Sequence, residues 1–444
     1  MEFSTKTYSL AELYDISSGL SKKREEFGFG YPFLTFKEVF HNPFLPSKLE
    51  ELANTTEKEQ MRCSIKAGDV FLTRTSEKLE ELGLSSVALK DYPQATFNGF
   101  TKRLRPNKLC KDILLPEYAA FYFRSLKFRN QVTSFSSMTT RASLNNEMIS
   151  KLTIDIPSLA KQKTTVGVML NLLEKEKNNK KTIQILEQLS QTLFKHWFID
   201  FEFPNEQGQP YNSSGGEMVE SELGEIPKEW KVSTLGTLIQ NTLGGDWGKE
   251  NPQGNYIEKV SIIRGADLPE LKVGSDGKVP TRYILNKNYK NKKLEAGDII
   301  IEISGGSPTQ STGRTLFINQ EIINKYQDKV LCTNFCRILR PLKIEHGLWI
   351  ELYISYLYKM NLFFNFENGT TGIKNLDLNA VLNNYKIVIP AEEILELFSK
   401  QFEILNSSIQ KKGNENKKLE QLRDTLLPKL LSGEIEIPDD LEVK

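Results

Sequence analysis

The sequence predicts an α+β chain in which two mixed α/β domains are joined by two long helices that pair as an antiparallel coiled coil, the halves related by a pseudo-two-fold internal repeat. Three observations predict it. Short landmarks recur about half a chain apart, in the same order. Two amphipathic runs, residues 158–200 and 391–431, each open just after a proline. Each run is preceded by a block of short β-type segments broken by Gly, Pro and Asn.

The repeat is tightest around the amphipathic runs. Leu186-Glu187-Gln188-Leu189 recurs 233 residues later as Leu419-Glu420-Gln421-Leu422, and Pro157 recurs at the same offset as Pro390. Upstream the register loosens, as loop insertions would cause. Thr139-Thr140 matches Thr370-Thr371, Ala67-Gly68-Asp69 matches Ala296-Gly297-Asp298, and Leu10, Leu13 and Gly19 match Leu235, Leu238 and Gly244.

Residues 1–157 form the first mixed domain, with β-type runs such as Asp69-Val70-Phe71-Leu72-Thr73. Residues 158–200 form the first spacer helix. Met169, Leu172, Ile183, Leu186, Leu193 and Trp197 fall on a and d places of a seven-residue repeat. Pro157 suits a helix start, where a missing N–H costs little. Residues 201–230 are a polar, turn-rich connector containing Ser213-Ser214-Gly215-Gly216. Residues 231–390 form the second mixed domain. Residues 391–431 form the second spacer helix, with Phe402, Leu405, Ile409, Leu419 and Leu426 on the matching stripe and Gly413 as a local weak point. Residues 432–444 are an acidic tail expected to fray. Two matched stripes bury themselves most simply against each other, hence the coiled coil.

Composition narrows the function. The 444 residues carry 58 Lys plus Arg against 57 Asp plus Glu, with 39% hydrophobic residues and four cysteines. That is ordinary globular composition, without a disulfide framework. No apolar run is long enough to span a bilayer and the N-terminus lacks a secretory pattern, so a cytoplasmic protein is expected. The net charge of +1 hides local fields. Residues 1–157 carry +3 and 231–390 carry +5, while 158–230 carry −3 and 391–444 carry −4. Local excess, not the total, attracts phosphate.

No catalytic constellation is visible, and none is expected. Nothing fits a phosphate-binding G-x-x-x-x-G-K-[ST] loop. Gly28-Phe29-Gly30 starts like a dinucleotide fingerprint, but Phe33 stands where the third glycine belongs. Asn42-Pro43-Phe44 lacks the second proline of an amino-methyltransferase signature, and Pro438-Asp439 with Glu442 and Lys444 is too compressed for a nuclease motif. Cys332 and Cys336 have no histidine near them and read as core residues; no metal ligands are assigned.

Donor-rich loops are candidates for contact with double-stranded DNA, the alternative for any one of them being a solvated surface loop. After the first β-run come Thr73, Arg74, Thr75 and Ser76. After its counterpart come Ser304, Gly306, Ser307, Thr309, Gln310, Ser311 and Arg314. Hydroxyls, amides and guanidinium groups on Gly-permitted turns are suited to phosphates and base edges. Further candidates are Lys22, Lys23, Arg24, Lys102, Arg103, Arg105 and the Thr139-Thr140-Arg141 turn in the first domain. In the second they are Lys249, Arg264, the Thr370-Thr371 turn and Lys374. Phe100, Tyr122 and Phe123 accompany the first basic cluster.

The helices and their approaches resemble the specificity subunit of type I restriction–modification enzymes. The residues that carry this are Ile154-Asp155-Ile156-Pro157 with Gln162, Leu189 to Phe194, and Trp197-Phe198-Ile199-Asp200-Phe201. So do Ser214 to Val219, Gly224-Glu225-Ile226-Pro227-Lys228-Glu229-Trp230, Gly369-Thr370-Thr371 and Leu430 to Ile435. Met138 departs from the glycine that often precedes the first Thr pair.

The resemblance implies that the mixed domains are target recognition domains, each reading one half of a bipartite, asymmetric DNA site. It implies that the helices set the half-site spacing and dock two modification (methyltransferase) subunits. Those partners would hold S-adenosylmethionine for adenine-N6 methylation, and motor–nuclease restriction subunits would use ATP and Mg. This chain would bind no cofactor and act in host defence within a bacterial or archaeal cytoplasm. Alternatives are the specificity subunit of a methylation-only or other multi-subunit system, a fused methyltransferase–nuclease, or a structural adaptor that does not bind DNA.

Overall fold

In a computed structural model the described residues are 5–135, 142–307, 309–327, 329–369 and 374–437. The chain separates into two compact units, residues 1–174 with 419–444, and residues 175–418. The boundary falls inside both long helices. Their apolar stripes are therefore divided between two cores and do not stand as a separate body.

In the first unit, the Lys6–Ser9 strand pairs antiparallel with Thr153–Ile156, so the ends of the mixed region close on each other. A four-stranded sheet runs in the order Tyr14–Ser18, Thr101–Pro106, Val70–Thr73, Ser85–Val87, antiparallel throughout. A smaller sheet sets Phe27–Leu34 between antiparallel Leu52–Ala53 and parallel Thr96–Phe97. Val70, Phe71 and Leu72 are all buried, as expected of a run covered on both faces. Tyr118, Tyr122, Phe123 and Phe128 fill one core. Tyr122 and Phe123 are thus interior residues, not companions of a basic surface.

In the second unit, Lys231–Thr234 pairs antiparallel with Lys386–Ile389. Its four-stranded sheet runs Ile239–Gly244, Cys336–Pro341, Ile299–Glu302, Thr315–Phe317, again antiparallel throughout. A three-stranded sheet sets Tyr256–Ile263 between antiparallel Thr281–Leu285 and parallel Val330–Cys332. Cys332 and Cys336 are buried in the core, where burial pushes the Cys332 thiol up to about 12.

One pair of charges fixes each large sheet. Arg105 Nε and Nη2 donate to Asp69 Oδ1 and Oδ2 at 2.8 and 2.6 Å. Arg340 Nε and Nη2 donate to Asp298 Oδ1 and Oδ2 at 2.9 and 2.8 Å. Both aspartates close the same Ala-Gly-Asp turn, their carboxylates accepting the Lys66 and Glu295 N–H groups at 2.8 Å.

The long helices run from Leu159 to Phe198 and from Glu392 to Ser432. In the first unit, Met169 and Leu172 join the same core as Leu426 and Leu430. Gln162 is fully buried there; it donates to the Ile113 and Pro157 carbonyls and accepts from Leu115 N–H. In the second unit, Trp197 and Phe198 meet Phe398 at 5.5 and 4.6 Å between ring centroids, and Phe398 stacks on Phe402. Asn179 donates to Glu415 at 2.9 Å. Ile183 and Ile409 are buried, whereas Leu186, Leu193, Leu405 and Leu419 are half-buried. Gly413 has a positive reason to be glycine. A Cβ there would stand 2.2 Å from the Val273 carbonyl oxygen, so the helix could not approach that turn.

A buried carboxylate marks the second unit. Glu351 accepts hydrogen bonds from Lys272 Nζ, Thr315 Oγ1 and Ser355 Oγ at 2.6, 2.8 and 2.9 Å. Burial alone would raise its pKa, but Lys272 and the two hydroxyls hold it below the usual carboxylate range. Its contribution to stability is present above the unfolded pKa and is lost as pH falls through the lower, folded one.

Two outcomes follow. Asp69→Ala strands a half-buried arginine and should cost about 3 kcal/mol in urea unfolding, whereas Asp298→Ala should cost less because Arg340 keeps Glu295. Glu351→Gln should destabilise at pH 7 and flatten the fall in stability below about pH 4; an unaltered acid limb would contradict the assigned role.

Candidate nucleic-acid interface

In each unit the strand register delivers the donor-rich loop to one edge. In the first, Thr73 lies opposite Thr101, so Arg74 N–H reaches the Phe100 carbonyl at 3.0 Å. Thr75–Ser76 then pairs with Ala142–Ser143, bringing the first loop beside the segment that follows residues 136–141. In the second, Glu302 lies opposite Cys336, and Ser304–Gly305 pairs with Lys374–Leu376. Thr139, Thr140, Arg141, Thr370 and Thr371 lie outside the described residues.

The loops are held from within. Thr73 Oγ1 donates to the Glu81 carbonyl and accepts from Leu84 N–H, and Ser76 Oγ donates to Glu81 Oε2. Thr75 and Arg74 are half-buried. In the longer loop, Ser307 and Gln310 exchange backbone hydrogen bonds at 2.8 and 3.3 Å, and Thr309 N–H donates to Ser307 Oγ at 3.3 Å. Gln310 Nε2 donates to the Tyr358 hydroxyl at 3.3 Å, and Ser304 bonds Asn375. Ser311 is buried, and Gly306 has φ of 75°.

Most of the candidate cations are buried or half-buried and are held by groups of the chain itself. Lys102 is buried and donates to Ser18 Oγ and Asn146 Oδ1, both at 2.7 Å; desolvation lowers its pKa. Arg103 is buried, donates to the Ser64 carbonyl at 2.7 Å and stands 5.5 Å from the Phe97 ring. Arg105 holds Asp69, Arg264 chelates Asp267, Arg314 chelates Glu302, and Lys374 holds Glu367. Lys22 bridges Glu26 and Glu59. The physical reason is local. Lys102, Arg103 and Arg105 lie on an inner strand of the sheet, where an unpaired charge would be prohibitive. Arg264 and Arg314 flank carboxylates three and twelve residues away in sequence.

Lys23 and Arg24 differ, being exposed beside an equally exposed aromatic strand. Phe27, Phe29 and Tyr31 there are 40, 51 and 37% exposed, with Phe29 between glycines at φ of 92° and 97°. Lys249 lies 5.8 Å from the Tyr256 ring, and Arg282 lies 4.3 Å over Trp247. The aromatic strand, Phe335 and Trp247 were not expected as site residues. Only an aromatic bracketed by glycines, as in Gly28-Phe29-Gly30, signals such exposure in the sequence.

Residues 4–188 match the family described as type I restriction modification DNA specificity domain. The chain is 25% identical to the type I restriction enzyme MjaIX specificity subunit of Methanocaldococcus jannaschii, over 98% of this chain and 93% of that protein. It is 23% identical to the HindI specificity subunit of Haemophilus influenzae, over 97% and 99%. The fold is like that of the type I restriction–modification S subunit from M. genitalium, with a TM-score of 0.55, 14% identity, and coverage of 97% of this chain and 96% of that one. Over nearly its whole length, the chain is thus similar to type I restriction–modification specificity subunits.

Proposed function

We propose that the chain is the non-catalytic subunit that chooses where a type I restriction–modification complex acts, with each unit reading one half of a bipartite, asymmetric DNA site. The observation that carries this reading is the pairing, in each unit, of the donor-rich loop with a short strand from far along the chain, beside the four-stranded sheet: Thr75–Ser76 with Ala142–Ser143, and Ser304–Gly305 with Lys374–Leu376. A reader of bases needs such a surface. Phosphate contacts position a protein on the duplex, and base contacts specify the sequence.

The two units have the same strand order in their large sheets, the same Ala-Gly-Asp turn and the same chelated arginine. These support an internal pseudo-two-fold repeat. The side chains on the loops differ between the units, so the half-sites should differ too.

The spacer is an antiparallel coiled coil in this reading. Its support is the order of contacts along the two helices: Met169 shares a core with Leu430, Asn179 bonds Glu415, and Trp197 meets Phe398. The helices set the distance between half-sites and dock two methyltransferase subunits. S-adenosylmethionine belongs to those subunits, and ATP and Mg to the restriction subunits. Among the described residues no helix is long and apolar enough to cross a membrane, and the reading places the complex in the cytoplasm.

DNA contact by charge falls to the cations left exposed. Lys23→Ala with Arg24→Ala should weaken binding of the assembled complex to all duplexes alike and reduce the salt slope by about two. Arg314→Ala should instead lower stability, because Glu302 is left buried. Deleting one turn from both helices should shorten the gap in the methylated motif by about one or two base pairs at ~1.5 Å per residue. An unchanged gap in a map of modified bases would reject the ruler.

A further inference from the structure

Phe100 and Phe335 are 59 and 52% exposed, among the most exposed large apolar side chains of their units. Lone exposed apolar residues are common and need no explanation. These two differ in being built into the same place twice. Each occupies the third position of a tight turn that enters an inner strand of its four-stranded sheet, Asn98–Thr101 in one unit and Thr333–Cys336 in the other.

The turns are made alike. Asn98 Oδ1 accepts the Phe100 N–H at 2.7 Å, and the Asn98 carbonyl accepts the Thr101 N–H at 3.0 Å. Thr333 Oγ1 accepts the Phe335 N–H at 3.5 Å, and the Thr333 carbonyl accepts the Cys336 N–H at 2.9 Å. Both phenylalanine carbonyls are tied to the donor-rich loops. Phe100 accepts from Arg74 N–H at 3.0 Å; Phe335 accepts from Ile303 and Ser304 N–H at 2.9 and 3.2 Å. Behind each turn passes a glycine. A Cβ on Gly19 would stand 2.3 Å from the Asn98 carbonyl oxygen, and one on Gly245 would stand 2.1 Å from that of Thr333. Each ring is therefore held out by a turn that several backbone hydrogen bonds fix in place.

The surroundings select the partner. Arg74 adjoins Phe100, and Arg337 lies over the Phe335 turn, its Nη1 donating to the Asn334 and Cys336 carbonyls at 3.2 and 3.1 Å. An exposed apolar ring on a turn bonded to a donor-rich loop suits a base presented by a polyanion. In a duplex the base faces are stacked, but thymine shows an apolar methyl group in the major groove that an aromatic ring can meet.

We propose that Phe100 and Phe335 are specificity-determining contacts, one per unit, each pressing its ring against a base of the half-site that its own unit reads. The inference rests on the DNA-reading role above and adds residues and chemistry to it. The stiffness of the turns removes most of the ordering cost of such a contact.

The test uses the chain co-purified with its modification subunits. Phe100→Ala, Phe335→Ala and the conservative Phe100→Trp are compared on a duplex carrying the site mapped for the unaltered complex, and on one lacking it. Each alanine variant should weaken binding to the site about tenfold or more, leaving affinity for the second duplex and the melting temperature unchanged. In maps of modified bases, Phe100→Ala should relax only one half of the motif and Phe335→Ala only the other, with Phe100→Trp retaining selectivity. Unchanged affinity and motif in both alanine variants, with the unaltered complex still selective, would overturn this inference alone. Loss of subunit assembly in the variants would also overturn it, marking the rings as protein contacts. An unaltered complex without site preference would instead overturn the DNA-reading role.

Discussion

An arginine held by an aspartate sets the register on which each unit depends. Asp69 and Asp298 immediately precede the Val70–Thr73 and Ile299–Glu302 strands, while Arg105 and Arg340 sit near the ends of the strands paired with them. Each pair is bidentate and at least three-quarters shielded from solvent, so its geometry is strict. A slip of one residue would part the charges and turn every side chain of the strand to the opposite face. The register thus pinned places Thr73 opposite Thr101 and Glu302 opposite Cys336. That placement ties Arg74 to Phe100, and Ile303 to Phe335, at the edge where the donor-rich loops emerge.

The same economy of charge explains why a basic block need not make a basic surface. The second mixed region carries an excess of five positive charges. Yet Arg264, Arg314, Arg340 and Lys374 are each committed to a neighbouring carboxylate. Such pairs stiffen the loops that carry them and leave hydroxyls, amides, backbone groups and exposed rings as the accessible chemistry. A surface of that kind discriminates by shape and hydrogen-bond pattern more than by gross attraction.

The long helices were readable because periodicity and punctuation agree. A stripe at seven-residue spacing, opened by Pro157 or Pro390, is hard to fold otherwise, and the observed helices run from Leu159 and Glu392. The Ala-Gly-Asp landmarks were visible as a repetition, but their purpose was not. Nothing local ties Asp69 to an arginine 36 residues away, or Asp298 to one 42 away. Gly19 was aligned with Gly244, whereas the close approach to the turn falls on Gly245. A bulge between Ile239 and Asn241 inserts the extra residue, and a bulge leaves no reliable mark in composition.

By itself, the sequence determined the mixed class of the chain, its two long helices, the loops rich in hydrogen-bond donors and the resemblance those features carry. These depend on neighbours within a turn or a heptad, which order along the chain already specifies. Only the tertiary structure decided which cations remain accessible, which aromatic rings stay in water and how each apolar stripe is shared between two cores. Those outcomes depend on partners dozens to hundreds of residues apart. Whether a charge is buried beside a carboxylate or left in solvent is settled when the sheets close, because only then does desolvation set its cost.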